Sequence, residues 1–143
     1  MDPQPHSPIS SVALADQFGR TGKALGLALD DALAVYGVTT SRARVLIEVA
    51  QAGPVRLSAV AAAVGIAQGT ASELAEALVQ EGLLSRRPDP SDRRAVLLET
   101  TGQGRDHAQQ WAAAYASTAE KLFGTLEDEQ RAALLTLLKV LEP

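Results

Sequence analysis

The chain contains no cysteine among its 143 residues. Disulfides, thiolate metal ligands and thiol-based redox sensing are thereby excluded. Histidine is scarce as well: His6 lies in a proline-rich leader and His107 is distant in sequence, so no metal site is expected. Aromatic residues make up only 3%, and the apolar content is carried by alanine and leucine, the residues with the best helix propensities. No apolar run reaches the roughly 18–20 residues that span a bilayer. The N-terminal MDPQPHSPISS has neither the basic flank nor the apolar core of a signal peptide. A cytoplasmic protein with no membrane partner is expected. The carboxylates are scattered, the histidines are few, and no glycine-rich loop could cradle a phosphate. Catalytic residues, cofactors and an enzymatic role are therefore not expected.

What is present is ordinary for a globular chain: 46% hydrophobic and 21% charged residues, enough for one domain with a core. The net charge is −4, which alone argues against a nucleic-acid partner. Its distribution argues the other way. Arg86, Arg87, Arg93 and Arg94 stand against Asp89 and Asp92 between positions 85 and 94, a local excess of +2. Many of the acids lie towards the two ends of the chain.

Residues 1–10, with Pro3, Pro5 and Pro8, read as a flexible leader. From Ser11 to Tyr36 apolar residues recur at spacings of three and four, which predicts a long helix ended by Gly37. Gly19, Gly22 and Gly26 share one of its faces, as a close helix–helix approach or a kink would require. A second helix starts at Thr39 as cap and ends at Gly53-Pro54. Two short helices follow, Ser58–Val64 and Gln68–Glu81, joined through Gly65, which tolerates the positive φ of a tight turn. Leu83–Arg87 and Ala95–Thr100 read as strands around a PDPSD turn. Thr101 opens a helix reaching Phe123. Thr125-Leu126-Glu127-Asp128 resembles a capping box before a leucine-rich last helix.

Two short helices across a glycine turn, the second with a polar leading end, are what a helix-turn-helix requires. The outward positions Gln68, Gly69, Thr70, Ser72 and Glu73 offer groups that can read base edges or touch phosphate: Gln pairs with adenine, Ser and Thr serve either purpose, and Glu accepts from cytosine. The hairpin that follows carries Arg86, Arg87, Arg93 and Arg94 near a tip narrow enough for a minor groove. Asp92, two residues before Arg94, is placed to hold its guanidinium.

The order of these elements, with ASELAEALVQEGLLSRRPDPSDRRAVLLETTGQG, resembles the MarR (multiple antibiotic resistance regulator) family of bacterial transcription factors. The family's Asp-x-Arg element falls on Asp92 and Arg94. The resemblance implies a mainly α fold with a small β-wing: a winged helix-turn-helix lobe over 39–100, and a helical dimerisation region from 11–36 and 101–143. It implies an obligate homodimer on double-stranded DNA, with Gln68–Glu81 in the major groove, Arg94 in the minor groove and Ser58 near phosphate. It also implies a small aromatic or anionic effector between the dimer helices and the lobe, for which Phe18, Tyr36, Arg44, Trp111 and Tyr115 are the candidates. The chain departs from the family at three places. Ala67 replaces a Ser or Thr cap, Glu73 a commonly basic residue, and Thr100 a leucine. The expected function is a ligand-responsive repressor on a palindromic operator. The alternative is a winged-helix protein–protein interaction module that does not bind DNA.

Overall fold

A computed structural model describes residues 8–143. The leader expected over 1–10 lies mostly outside the described residues, as does His6. Six helices and three strands follow in the order α1 (Ser11–Ala34), α2 (Thr40–Ala52), β1 (Val55–Arg56), α3 (Leu57–Val64), α4 (Gln68–Gln80), β2 (Leu84–Asp89), β3 (Asp92–Thr100), α5 (Gly102–Phe123) and α6 (Asp128–Val140). No helix among the described residues is long and apolar enough to cross a membrane.

Helix starts follow local chemistry. Ser10, Thr39 and Thr101 each accept, through the side-chain hydroxyl, a backbone N–H of the first turn, satisfying a donor that the helix cannot. The Ala67 methyl cannot accept a hydrogen bond, and α4 starts without a side-chain cap. The cap of α6 is Glu127 with Gln130 in a reciprocal box. The box expected from Thr125 therefore sits two residues later, and the Thr125 hydroxyl instead donates to the Leu122 carbonyl. Between α3 and α4, Gly65 adopts φ 77°, a left-handed conformation that a side chain would strain.

The core forms around α2. Ala43, Val45, Leu46 and Val49 are all buried, a wider stripe than Ala43, Leu46, Ile47 and Ala50 alone. The breadth is explained by α2 packing against α1, α3, α4, α5 and β3. Leu33, Val60, Val64, Leu78, Leu84, Leu98 and Trp111 complete the cluster. The start of α5 is pressed onto the end of the lobe. A Cβ at Gly104 would collide with the Leu83 carbonyl, while Thr101 donates its amide to Leu83 O at 3.1 Å and its hydroxyl to Gly82 O at 2.6 Å.

The sheet is antiparallel in the order β1-β3-β2. The segment read from sequence as merely extended, Val55–Arg56, pairs with Leu98 and Leu97. The wing strands reach further than expected and leave Pro90 and Ser91 as the turn. Their register breaks near the tip: Pro88 faces Val96, and Asp89 faces Asp92. One step along β2 thus matches four along β3, and Arg93, Arg94 and Ala95 have no cross-strand partner. Such a bulge bends the ribbon and redirects its side chains.

The terminal helices are left bare in a single chain. No residue of α6 is buried, and Leu135, Leu137, Val140 and Leu141 are exposed. On α1 only Leu29 and Leu33 are buried, with Val12, Leu14 and Phe18 open.

Candidate nucleic-acid interface and adjacent cavities

α4 buries Ala71, Ala75 and Leu78 against the lobe. The helical period then turns Gln68, Gly69, Thr70, Ser72 and Glu73 outward, and all five are exposed. Ser58, in the first turn of α3, is exposed as well. The polar leading end expected from sequence is thus presented as one open surface.

The arginines of the wing fall into two groups. Arg86 is ion-paired with Glu76 of α4. Glu76 also accepts from the Gln80 amide at 2.9 Å. These two contacts, the Gln80 hydrogen bond first and Arg86 second, hold the Glu76 carboxyl below its ordinary pKa. Arg87 lies 3.8 Å from Glu99 across the strand pair. Arg93 and Arg94 sit on the bulge, exposed, and no ion pair with a carboxylate engages them among the described residues. Two of the four arginines are therefore committed to the protein and two are free.

Asp92 acts differently from expectation. Its Oδ1 accepts the Arg94 backbone N–H at 3.0 Å, so it fixes the main chain at the tip and leaves the guanidinium loose. Asp89, read from sequence as a turn former, is a buried carboxylate. Its Oδ1 accepts from the Ser91 amide at 2.9 Å and from the Ser91 hydroxyl at 2.7 Å. Its Oδ2 receives Arg56 Nε at 2.9 Å and Nη2 at 2.7 Å. The Ser91 contacts first, then Arg56, pull its pKa down to about 2. Only an acid near a turn was visible in sequence; the partner lies across the sheet, beyond any local pattern.

The five effector candidates do not converge. Arg44 and Tyr115 line a cavity of about 370 Å³ between α2, the end of α3 and α5, together with Ile47, Glu48 and Ala112. Arg44 Nη1 donates to the Val64 carbonyl at 3.0 Å, which holds one edge of the guanidinium at the cavity wall. Tyr36 and Trp111 border a separate, more polar cavity of about 160 Å³ with Arg42, Glu81 and His107. Trp111 is itself buried and meets His107 edge to face, with centroids 5.5 Å apart. Phe18 lines neither cavity and is 62% exposed on α1.

Residues 38–96, which hold the lobe from the cap of α2 through β2 and into the first half of β3, match the model of the MarR family. The sequence likeness to the MarR family is thus carried by the winged lobe. Beyond that segment the MarR likeness continues in three dimensions. A MarR variant from E. coli, solved with operator DNA, superposes with a TM-score of 0.79 at 22% identity, over 91% of this chain and 94% of that one. CouR from Rhodococcus jostii, bound to p-coumaroyl-CoA, gives 0.81 at 25% identity over 93% and 94%. These likenesses take in the terminal helices as well as the winged lobe. In sequence, the HTH-type transcriptional regulator BilQ of Clostridium symbiosum is 31% identical over 81 residues, 57% of this chain. The matched stretch spans 56% of that regulator's own length.

Proposed function

We propose that this chain is a DNA-binding transcriptional regulator, a repressor acting as a homodimer on a palindromic operator. The observation that carries the reading is that Arg93 and Arg94, exposed on the bulge and without an ion pair among the described residues, accompany an open polar face on α4. The helix presents Gln68, Thr70 and Ser72 to a major groove, and the wing brings its arginines to the neighbouring minor groove. Ser58 adds a phosphate contact. The MarR relative was solved with operator DNA, which supports the same use of the lobe here.

The dimer is supported by the bare apolar faces of α1 and α6, which a second copy would cover. Two-fold symmetry then sets the half-sites about one helical turn apart, roughly 34–36 Å. The cavity lined by Arg44 and Tyr115 adjoins both the lobe and α5. It suits a small aromatic acid, with the guanidinium meeting the carboxylate. CouR holds an aromatic thioester ligand, in keeping with an effector of this kind. Such a regulator works in the cytoplasm.

The test combines sedimentation with selection of bound fragments from random-sequence DNA, followed by titration of the selected duplex at two salt concentrations. A dimer that binds, more weakly at the higher salt, is the expected result. A net charge of −4 and the carboxylate of Glu73 favour the second reading, a protein-interaction module. Failure to enrich any fragment, with no binding even at low salt, would overturn the DNA reading and favour that one instead.

A further inference from the structure

We infer that Arg56 is a positioning residue for the wing: it closes the mouth of the bulge that carries Arg93 and Arg94, and so sets where those arginines meet DNA. The inference rests on the DNA-binding reading above.

Three observations lead to it. First, the wing needs an external hold. β1 covers only Leu97 and Leu98 of β3, so beyond that point β2 and β3 form a two-stranded ribbon, which is marginally rigid in water. The bulge weakens it further, because Arg93, Arg94 and Ala95 have no cross-strand partners. Second, Arg56 reaches both residues that close the bulge. Asp89 and Asp92 face each other at its mouth. Arg56 places two donors on Asp89 Oδ2, at 2.9 and 2.7 Å, and its Nη2 lies 3.9 Å from Asp92. Asp92 in turn holds the Arg94 amide at 3.0 Å. A continuous path thus runs from Arg56 to the backbone of the arginine at the tip. Third, Arg56 immediately precedes α3. Its main chain ends β1 and caps the first helix of the helix-turn-helix, while its side chain reaches the tip of the wing. It therefore fixes the position of the minor-groove arginines relative to α4, which determines whether helix and wing fit one half-site together.

The competing role is a direct phosphate contact, since the Arg56 side chain is 45% exposed. The two roles differ in what substitution does. A phosphate contact needs only a positive charge, which lysine keeps. The clamp needs two donors in a fixed fork, which lysine lacks. The roles also differ in sign at Asp89. If Asp89 merely adds negative charge near DNA, Asp89→Asn tightens binding; if it anchors the clamp, Asp89→Asn weakens it.

The experiment uses the full chain, a duplex selected by the wild-type protein from random-sequence DNA, and four variants: Arg56→Lys, Asp89→Asn, Arg94→Ala and Arg56→Lys/Arg94→Ala. Affinity is measured by fluorescence anisotropy, and amide hydrogen exchange is followed over residues 91–95 without DNA. Arg56→Lys and Asp89→Asn are each expected to weaken binding about tenfold, the scale of one lost charge-assisted hydrogen bond. Exchange at the tip should accelerate while that of the lobe core stays unchanged. On the Arg94→Ala background, Arg56→Lys should cost clearly less than on the wild type, because only one of the two arginines it positions remains. The inference is overturned if Asp89→Asn binds as tightly as wild type or better, if Arg56→Lys costs the same on both backgrounds, or if tip exchange does not change. Should Asp89→Asn fail to fold, Arg56→Lys decides alone. If Arg94→Ala leaves affinity unchanged, the DNA reading of the wing falls, and tip exchange still decides whether the clamp exists.

Discussion

The sharpest prediction concerns Arg94. Its side chain is exposed and takes no part in the core, and what Asp92 holds is its backbone amide, which alanine keeps. Arg94→Ala should therefore change folding stability by less than about 0.5 kcal/mol, as for a surface site away from caps and networks. DNA binding should suffer far more. A dimer loses two arginine contacts, and at about 1.5 kcal/mol for each hydrogen bond to a charged group the loss is about a hundredfold. Salt supplies a second, independent signature. Each lost phosphate neutralisation flattens the slope of log K against log salt by about 0.9, so two flatten it by about 1.8. Raising salt from about 50 to about 200 mM should then shrink the wild-type advantage about twelvefold. Anisotropy titrations of both proteins across that range give affinity and slope together. Parallel salt lines for mutant and wild type would refute the assignment, since a residue that releases no counterions is not at the DNA.

Gly104→Ala should destabilise the fold by about 1–3 kcal/mol through the collision with Leu83, offset in part by up to about 1 kcal/mol of helix propensity; urea midpoints measure it. The Asp89 carboxyl, at about 2 in the folded protein against 3.8 for the free group, contributes stability that is fully present above pH 3.8 and lost as pH falls towards 2. The stability gap between wild type and Asp89→Asn should hold steady at neutral pH and close over that acid range, as followed by denaturant midpoints at each pH. Leu137→Asp, on the bare face of α6, should turn a dimer into a monomer in sedimentation while helical content by circular dichroism stays largely intact. If the proposed effector site holds, Arg44→Ala should weaken binding of benzoate, used as an aromatic-acid probe, about tenfold, read by calorimetry, with the dimer unchanged.

Much of the scaffold was legible because its signals are local. The caps Thr39 and Thr101, the turn at Gly65 and the period of α1, α4 and α5 each depend on neighbours a few residues away. The order of elements was enough to suggest both lobe and wing. What escaped depends on partners distant in sequence. Val55–Arg56 becomes a strand only because Leu97 and Leu98 lie beside it. Val45 and Val49 fall off the expected stripe, yet α2 is enclosed on several sides and buries them. Asp89 looked like any turn acid until Arg56 came within reach. The four wing arginines look equivalent in sequence, but Glu76 and Glu99 occupy two of them from α4 and from the opposite strand. The effector candidates were chosen as aromatic or cationic residues near the helices, and the fold sends them to two cavities and an open face.

The division of the arginines bears on how such a protein would search a chromosome. With Arg86 paired to Glu76, Arg87 close to Glu99 and an overall charge of −4 per chain, the positive charge offered to arbitrary DNA is small. Sequence-independent affinity rests largely on phosphate neutralisation, so this chain would be a poor passenger on bulk DNA. Fewer copies would be titrated away by the vast excess of wrong sites. Operator occupancy would then respond to small changes in copy number, and a modest loss of affinity on effector binding would suffice to empty the site.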